Sequence, residues 1–185
     1  METSLLVGGF GGQGVVLIGQ LLGYSATDAD LHATFYASYG AEMRGGTANC
    51  TVLISDDDIG SPVVSEVDTV IALNEPSLAR FESWVKPGGT IIVNASMVDH
   101  PIHRTDIDAI YVPANDIAHE LGNDKAANMV ILGAWIGATK ALDAATVIAT
   151  MRAKMASKAA YLAANEAAIR AGVALGDRTA RKAAE

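Results

Sequence analysis

A chain of 185 residues, half of them hydrophobic and only 5% aromatic, suffices for one domain with a core of Ala, Val, Ile and Leu. Its net charge of −8 opposes a phosphate backbone and argues against a nucleic-acid partner. A single cysteine, Cys50, excludes an intrachain disulfide, and excludes a zinc site or iron–sulfur cluster held by this chain's thiolates alone. The N-terminal METSLLVGGF carries an acid where a signal peptide needs bases, and no run of about 18 apolar residues offers a membrane span. The chain reads as cytoplasmic, with no membrane partner.

In chain order, Leu5-Leu6-Val7 is a short apolar run closed by Gly8-Gly9, which reads as a buried strand. After a glycine turn, residues 15–22 are apolar on nearly every side, as in a helix packed against a sheet. Residues 32–39 and 48–54 carry β-branched and aromatic side chains and are expected to be strands. Residues 69–73 form another, followed by Glu75-Pro76 opening a helix that includes Leu78, Phe81 and Trp84. Lys86-Pro87-Gly88-Gly89 reads as a turn before a strand at 90–93, and residues 110–112 as a last short strand. Helices are expected at 113–121, ending at Gly122, and at 129–140. From Leu142 the chain is alanine-rich and helical, with Gly176 as a stop and residues 177–185 fraying. The fold class is α/β: a single doubly wound, Rossmann-like domain over residues 1–185 with a helical C-terminal end.

The glycine turn is Gly9-Phe10-Gly11-Gly12-Gln13-Gly14, a literal G-x-G-x-x-G between strand and helix. Glycines let backbone N–H groups approach a ligand, and the helix N-terminus favours an anion. A dinucleotide site would also need an acid closing the second strand, about 20 residues on. Asp28 and Asp30 precede that strand, and Tyr36, Ser38 and Tyr39 end it. Three readings stay open: an NAD or FAD site, a contact with some other anion, or glycines that only let the first helix pack closely.

A second motif, SYGAEMRGGTANC at 38–50, sets Tyr39, Glu42, Arg44, Gly45 and Gly46 between two extended segments. Arginine's planar fork fits carboxylate or phosphate. The alternative is a Glu42–Arg44 surface ion pair of little energetic consequence. His100 and His103 flank Pro101-Ile102 in a loop, and two histidines without further ligands make a poor metal site. Lys125 and Asn128 precede an apolar helix, where Asn128 could cap or contact a partner.

GFGGQG and SYGAEMRGGTANC are followed in order by Ile59-Gly60-Ser61-Pro62, Ala72-Leu73-Asn74-Glu75-Pro76, Lys86-Pro87-Gly88-Gly89 and residues 128–134 (NMVILGA). Together this set resembles the gamma subunit family of 2-oxoacid:ferredoxin oxidoreductases. Ala37 and Ala41 stand where that family often has proline. The resemblance implies a multi-subunit enzyme that decarboxylates a 2-oxoacid on thiamine diphosphate. Such an enzyme passes electrons through iron–sulfur clusters to ferredoxin and delivers the acyl group to coenzyme A. It implies alpha and beta partners, and a ferredoxin-like delta subunit in some assemblies. This chain lacks the Gly-Asp-Gly of a thiamine diphosphate site, Gly176-Asp177-Arg178 being its nearest approach. Thiamine diphosphate, magnesium and the clusters are thus expected on partner subunits, with no catalytic residue here. The expected contribution is a coenzyme A contact through Gly9, Gly11, Gly12, Gln13, Gly14, Tyr39, Glu42, Arg44, Gly45, Gly46 and Asn128. A stand-alone dinucleotide-binding oxidoreductase is the competing reading.

Overall fold

The computed structural model describes residues 1–39 and 47–183, apart from the side chains of 39 and of 179 onward. Leu5, Leu6 and Val7 are all buried, which is possible only for a strand covered on both faces. They lie on β1 (Glu2–Phe10), near the centre of a six-stranded sheet. The others are β2 (His32–Tyr39), β3 (Thr47–Ser55), β4 (Val67–Ala72), β5 (Val85–Asn94) and β6 (Asp108–Val112), ordered β2-β3-β1-β4-β5-β6. Strands β1, β4, β5 and β6 are parallel, with Leu5 beside Thr69 and Ile92 beside Ile110. The helices are α1 (Val15–Asp28), α2 (Glu75–Phe81), α3 (Ala114–Glu120), α4 (Ala127–Thr139), α5 (Ala144–Lys154) and α6 (Ala159–Ala183).

Alternation along the strands divides the core. Leu5, Val7, Ile71 and Ile92 face the layer holding α1, α4, α5 and α6. Leu6, Val70, Ala72, Ile91 and Val93 face α2, where Leu78, Phe81 and Val98 cover them. The α/β architecture with a helical C-terminal end is the one expected. The sheet is mixed, however, because β3 runs antiparallel between β1 and β2. Only residues 40–46 join β2 to β3, and a parallel return needs a crossover of about a dozen residues.

Two local expectations change. Lys86–Gly89 does not separate two elements. It is an excursion within β5, whose Val85 pairs with Val67 and whose Thr90 pairs with Thr69. Helix α6 does not stop at Gly176: the helix continues to Ala183. Gly172 and Gly176 serve close packing instead. A Cβ on Gly172 would lie 2.0 Å from the Val130 carbonyl oxygen, and one on Gly133 2.1 Å from that of Ile169. Helices α4 and α6 therefore meet backbone to backbone, at a separation only glycine permits.

The bulge also holds a polar staple. Asp68 accepts from the Ser4 amide (2.8 Å), the Ser4 hydroxyl (2.7 Å) and Lys86 Nζ (2.7 Å), tying β1, β4 and β5 together. Partial burial works to raise the Asp68 pKa, but the Lys86 and Ser4 hydrogen bonds outweigh it and hold the carboxyl below its usual range. A depressed carboxyl stabilises the fold above its unfolded pKa of about 3.9, and that contribution is lost as pH falls through the folded value. Asp68→Ala is expected to cost about 1–2 kcal/mol at pH 7, a modest figure because the site is partly exposed. In urea titrations at several pH values, the gap between parent and variant should close below about pH 4.

Candidate functional site

Strand β1 ends at Phe10, and the chain turns through Gly11 and Gly12 into α1. Gly12 and Gly14 have φ of 98° and 86°, the left-handed region that L side chains rarely adopt. Gln13 fixes the turn. Its Oε1 accepts from the Phe10 amide (2.7 Å) and from Asn74 Nδ2 (2.8 Å), and its Nε2 donates to the Leu73 carbonyl (3.3 Å). Asn74 in turn caps α2 by accepting from the Ser77 amide at 3.0 Å. The loop is thereby joined to two strands and a second helix.

Among the described residues no side chain caps the α1 N-terminus, and its first turn holds no acid. Asn128, at the start of α4, stands directly over it: a Cβ on Gly14 would meet Asn128 Nδ2 at 2.1 Å. The Asn128 carbonyl oxygen is buried and, among the described residues, has no hydrogen-bond partner. Such an atom costs about 1–3 kcal/mol unless something donates to it.

These groups border a cleft of about 350 Å³ beyond the carboxyl ends of the parallel strands. That is where open α/β sheets bind ligands. Gly12, Gln13, Asn94, Asn115, Lys125 and Asn128 are among the residues that line the cleft. Asn94 Nδ2 donates to Asn115 Oδ1 at 2.9 Å. The acid at the rim, Asp124, lies 2.9 Å from His119 Nδ1. The wall is thus carboxamides, an uncapped helix start and an exposed lysine, a set suited to a polar or anionic ligand.

Of the expected site residues, Gly11, Gly12, Gln13 and Gly14 share this turn, Gly9 lies at the end of β1 close to Gln13, and Asn128 stands against the turn. The Tyr39 side chain, Glu42, Arg44, Gly45 and Gly46 lie outside the described residues. Sequence reasoning missed Asn74, Asn94 and Asn115. Asn74 and Asn94 each close an apolar strand run, at its carboxyl end, and that position was the available signal.

Other candidates are engaged elsewhere. Asp28 accepts from the Thr150 hydroxyl and links α1 to α5. Strand β2 lies two strands from β1, so its end does not present a ribose-binding acid beside the glycine loop. His100 pairs with Glu75 at 2.9 Å, and the hydrogen bond to that carboxylate raises its pKa. The His103 amide donates to Glu82 (3.1 Å), so this loop is strapped to α2 and its neighbouring turn. Among the described residues, no three His, Cys, Asp or Glu are grouped to hold a metal. Cys50 is buried, donates to the Val15 carbonyl (3.3 Å), and is pushed up to about 12 by burial, which makes it an inert thiol. Nor is any described helix long and apolar enough to cross a membrane.

Fold and cleft together define an α/β domain with a polar cleft at the sheet's carboxyl edge. The chain belongs to the pyruvate ferredoxin/flavodoxin oxidoreductase family, whose model matches residues 4–175. It is 40% identical over 132 residues to the ketoisovalerate oxidoreductase subunit VorA of Methanothermobacter marburgensis. That alignment covers 71% of this chain and 27% of the relative, so the chain spans about a quarter of that protein's length. It is 38% identical over 146 residues to the 2-oxoglutarate synthase subunit KorC of the same organism, covering 75% of this chain and 78% of the relative. Among solved structures, it shares the fold of the keto/oxoacid ferredoxin oxidoreductase gamma subunit from Geobacter sulfurreducens. There the TM-score is 0.81 and the identity 24%, over 94% of this chain and 98% of that one. It shares the fold too of 2-oxoglutarate:ferredoxin oxidoreductase from Magnetococcus marinus, solved with 2-oxoglutarate, coenzyme A and succinyl-CoA bound. Here the TM-score is 0.88 and the identity 23%, over 96% of this chain and 31% of that one. The family is the one the ordered motifs resemble, and the competing dinucleotide-oxidoreductase reading gains no support from these relatives.

Proposed function

We propose that this chain is the gamma-type subunit of a cytoplasmic 2-oxoacid:ferredoxin oxidoreductase that converts a 2-oxoacid to its acyl-CoA and reduces ferredoxin. Alpha and beta subunits, with a ferredoxin-like delta subunit in some assemblies, carry thiamine diphosphate, magnesium and the iron–sulfur clusters. The residues here do not fit those groups. The chain has one cysteine, inert and buried, where a cluster needs about four ligands, and it has no Gly-Asp-Gly. The role of this subunit is structural and ligand-positioning: its cleft holds a phosphate of coenzyme A.

The observation that carries this reading is the α1 N-terminus, without a side-chain cap among the described residues, in a cleft that Lys125 and the Asn128 carboxamide also line. Helix amides and Lys125 would receive the anion, and Arg44, from the neighbouring motif, would add a second cation. One charge-assisted contact contributes about 1.5–3 kcal/mol. Lys125→Ala in the assembled complex is therefore expected to raise the KM for coenzyme A by about tenfold or more, leaving kcat at saturation close to parental. An unchanged KM in both Lys125→Ala and Arg44→Ala complexes would leave the chain a scaffold without ligand contact. The 2-oxoacid itself is chosen elsewhere, by the subunits that bind thiamine diphosphate.

A further inference from the structure

Strand β2 forms one edge of the sheet, and among the described residues nothing pairs with its outer side. Its eight residues, HATFYASY, contain no Lys, Arg, Asp, Glu or Pro. Natural proteins usually protect an open edge with charge, proline, a bulge or a short strand. The opposite edge follows that rule: β6 has five residues and begins with an exposed Asp108. Strand β2 instead exposes aromatics on both faces, Phe35 at 37% and Tyr36 at 55%. Beside it, between α1 and β2, lies a notch of about 270 Å³ bordered by Gln20, Tyr24, Thr27 and Phe35. The Thr34 hydroxyl oxygen is buried and, among the described residues, unpartnered.

We infer that β2 is an association edge that pairs antiparallel with β2 of a second copy of this chain, making one continuous twelve-stranded sheet. An open backbone edge recognises an extended strand. A two-fold axis normal to the sheet sets each face against its own kind, Ala33, Phe35 and Ala37 against the same three. No like charges meet, since the strand carries no charged side chain apart from His32 when protonated. The carboxylates near the start of β2, Asp30 and Asp58, argue for the antiparallel sense. His32 already lies 3.6 Å from Asp58. Antiparallel pairing sends the two acidic ends to opposite ends of a seam about 27 Å long. That is well beyond the Debye length of about 8 Å, whereas parallel pairing would place them together. A strip of this size buries about 1,000 Å² in total, the lower bound for a specific contact, so the pair is a weak, reversible one.

Sedimentation of the full chain between about 5 and 200 µM tests this directly. The mass should rise from 19.1 kDa towards twice that value. Amides of β2 should exchange with deuterium more slowly at the high concentration. Tyr36→Lys places a charge on the exposed face of the edge and should stay monomeric, with unchanged circular dichroism and melting temperature. Three results would overturn the inference: a parent that stays monomeric at 200 µM, a Tyr36→Lys chain that dimerises equally well, or a dimer whose β2 amides gain no protection. Protection of β2 only when other oxidoreductase subunits are added would also overturn it, assigning the edge to a different protein. None of these readings depends on what the cleft binds.

Discussion

Gly172→Leu is expected to prevent α6 from docking and to leave little folded protein. The first atom of the new side chain would stand 2.0 Å from the Val130 carbonyl oxygen and 2.7 Å from the Ala134 amide nitrogen. Both are backbone atoms, which cannot rotate away as a side-chain tip can. The helices must therefore separate, and α4 cannot give way, because residues 128–137 are all buried. Alanine in place of Gly172 should already cost at least about 3 kcal/mol, and leucine enough to consume much of a domain's usual 5–15 kcal/mol. Denaturant midpoints give the first number, and the yield of soluble chain the second. Gly23 supplies the control. It lies within α1 with nothing inside 4 Å of an added Cβ. Gly23→Ala should be neutral or stabilise by about 0.4–1 kcal/mol, because it only restricts the unfolded chain.

The second large effect is expected at the site. Gly14→Ala meets two obstacles, a φ of 86° and the Asn128 amide nitrogen 2.1 Å from the new methyl. The backbone strain costs about 1–2 kcal/mol, and Asn128 must leave its position. If the cleft receives a phosphate, the assembled enzyme should lose at least about tenfold in kcat/KM for coenzyme A. Pairing the change with Asn128→Ala separates the two consequences. The double variant should recover the part of the stability lost to the collision, though not the part lost to the left-handed φ, and should not recover coenzyme A affinity, because the carboxamide is gone too. Recovery of affinity together with stability would mean that the loop matters only for folding.

Much of the fold could be read in advance, for identifiable reasons. The apolar runs at Leu5, Val70 and Ile91 are buried on both faces and the run at Ile110 on one, so composition alone marked them as strands. The loop Gly9–Gly14 was legible because its glycines fall between an apolar strand run and an apolar helical run. The hairpin was half legible: both strands were visible, but their sense depended on the length of the link between them. The paired glycines of α4 and α6 were read wrongly at Gly176, because a glycine near the end of an alanine-rich run looks the same whether it stops a helix or admits a neighbour. Only the reciprocal spacing of Gly133 and Gly137 with Gly172 and Gly176 distinguishes the two. At the site, Gln13 and Asn128 were found through motifs. Asn94 and Asn115 converge only after β5 and β6 have paired, a relation that no local pattern contains.

The Gln13 carboxamide carries a consequence for how the cleft responds to a ligand. Its three hydrogen bonds, to Phe10, Asn74 and Leu73, are made by the protein to itself. The conformational freedom of the glycine turn is therefore surrendered during folding rather than at the moment of encounter. A ligand that entered the cleft would meet a glycine turn already in its final shape and forfeit little affinity to ordering it. Association should behave as a single diffusive step, with no slower rearrangement following it.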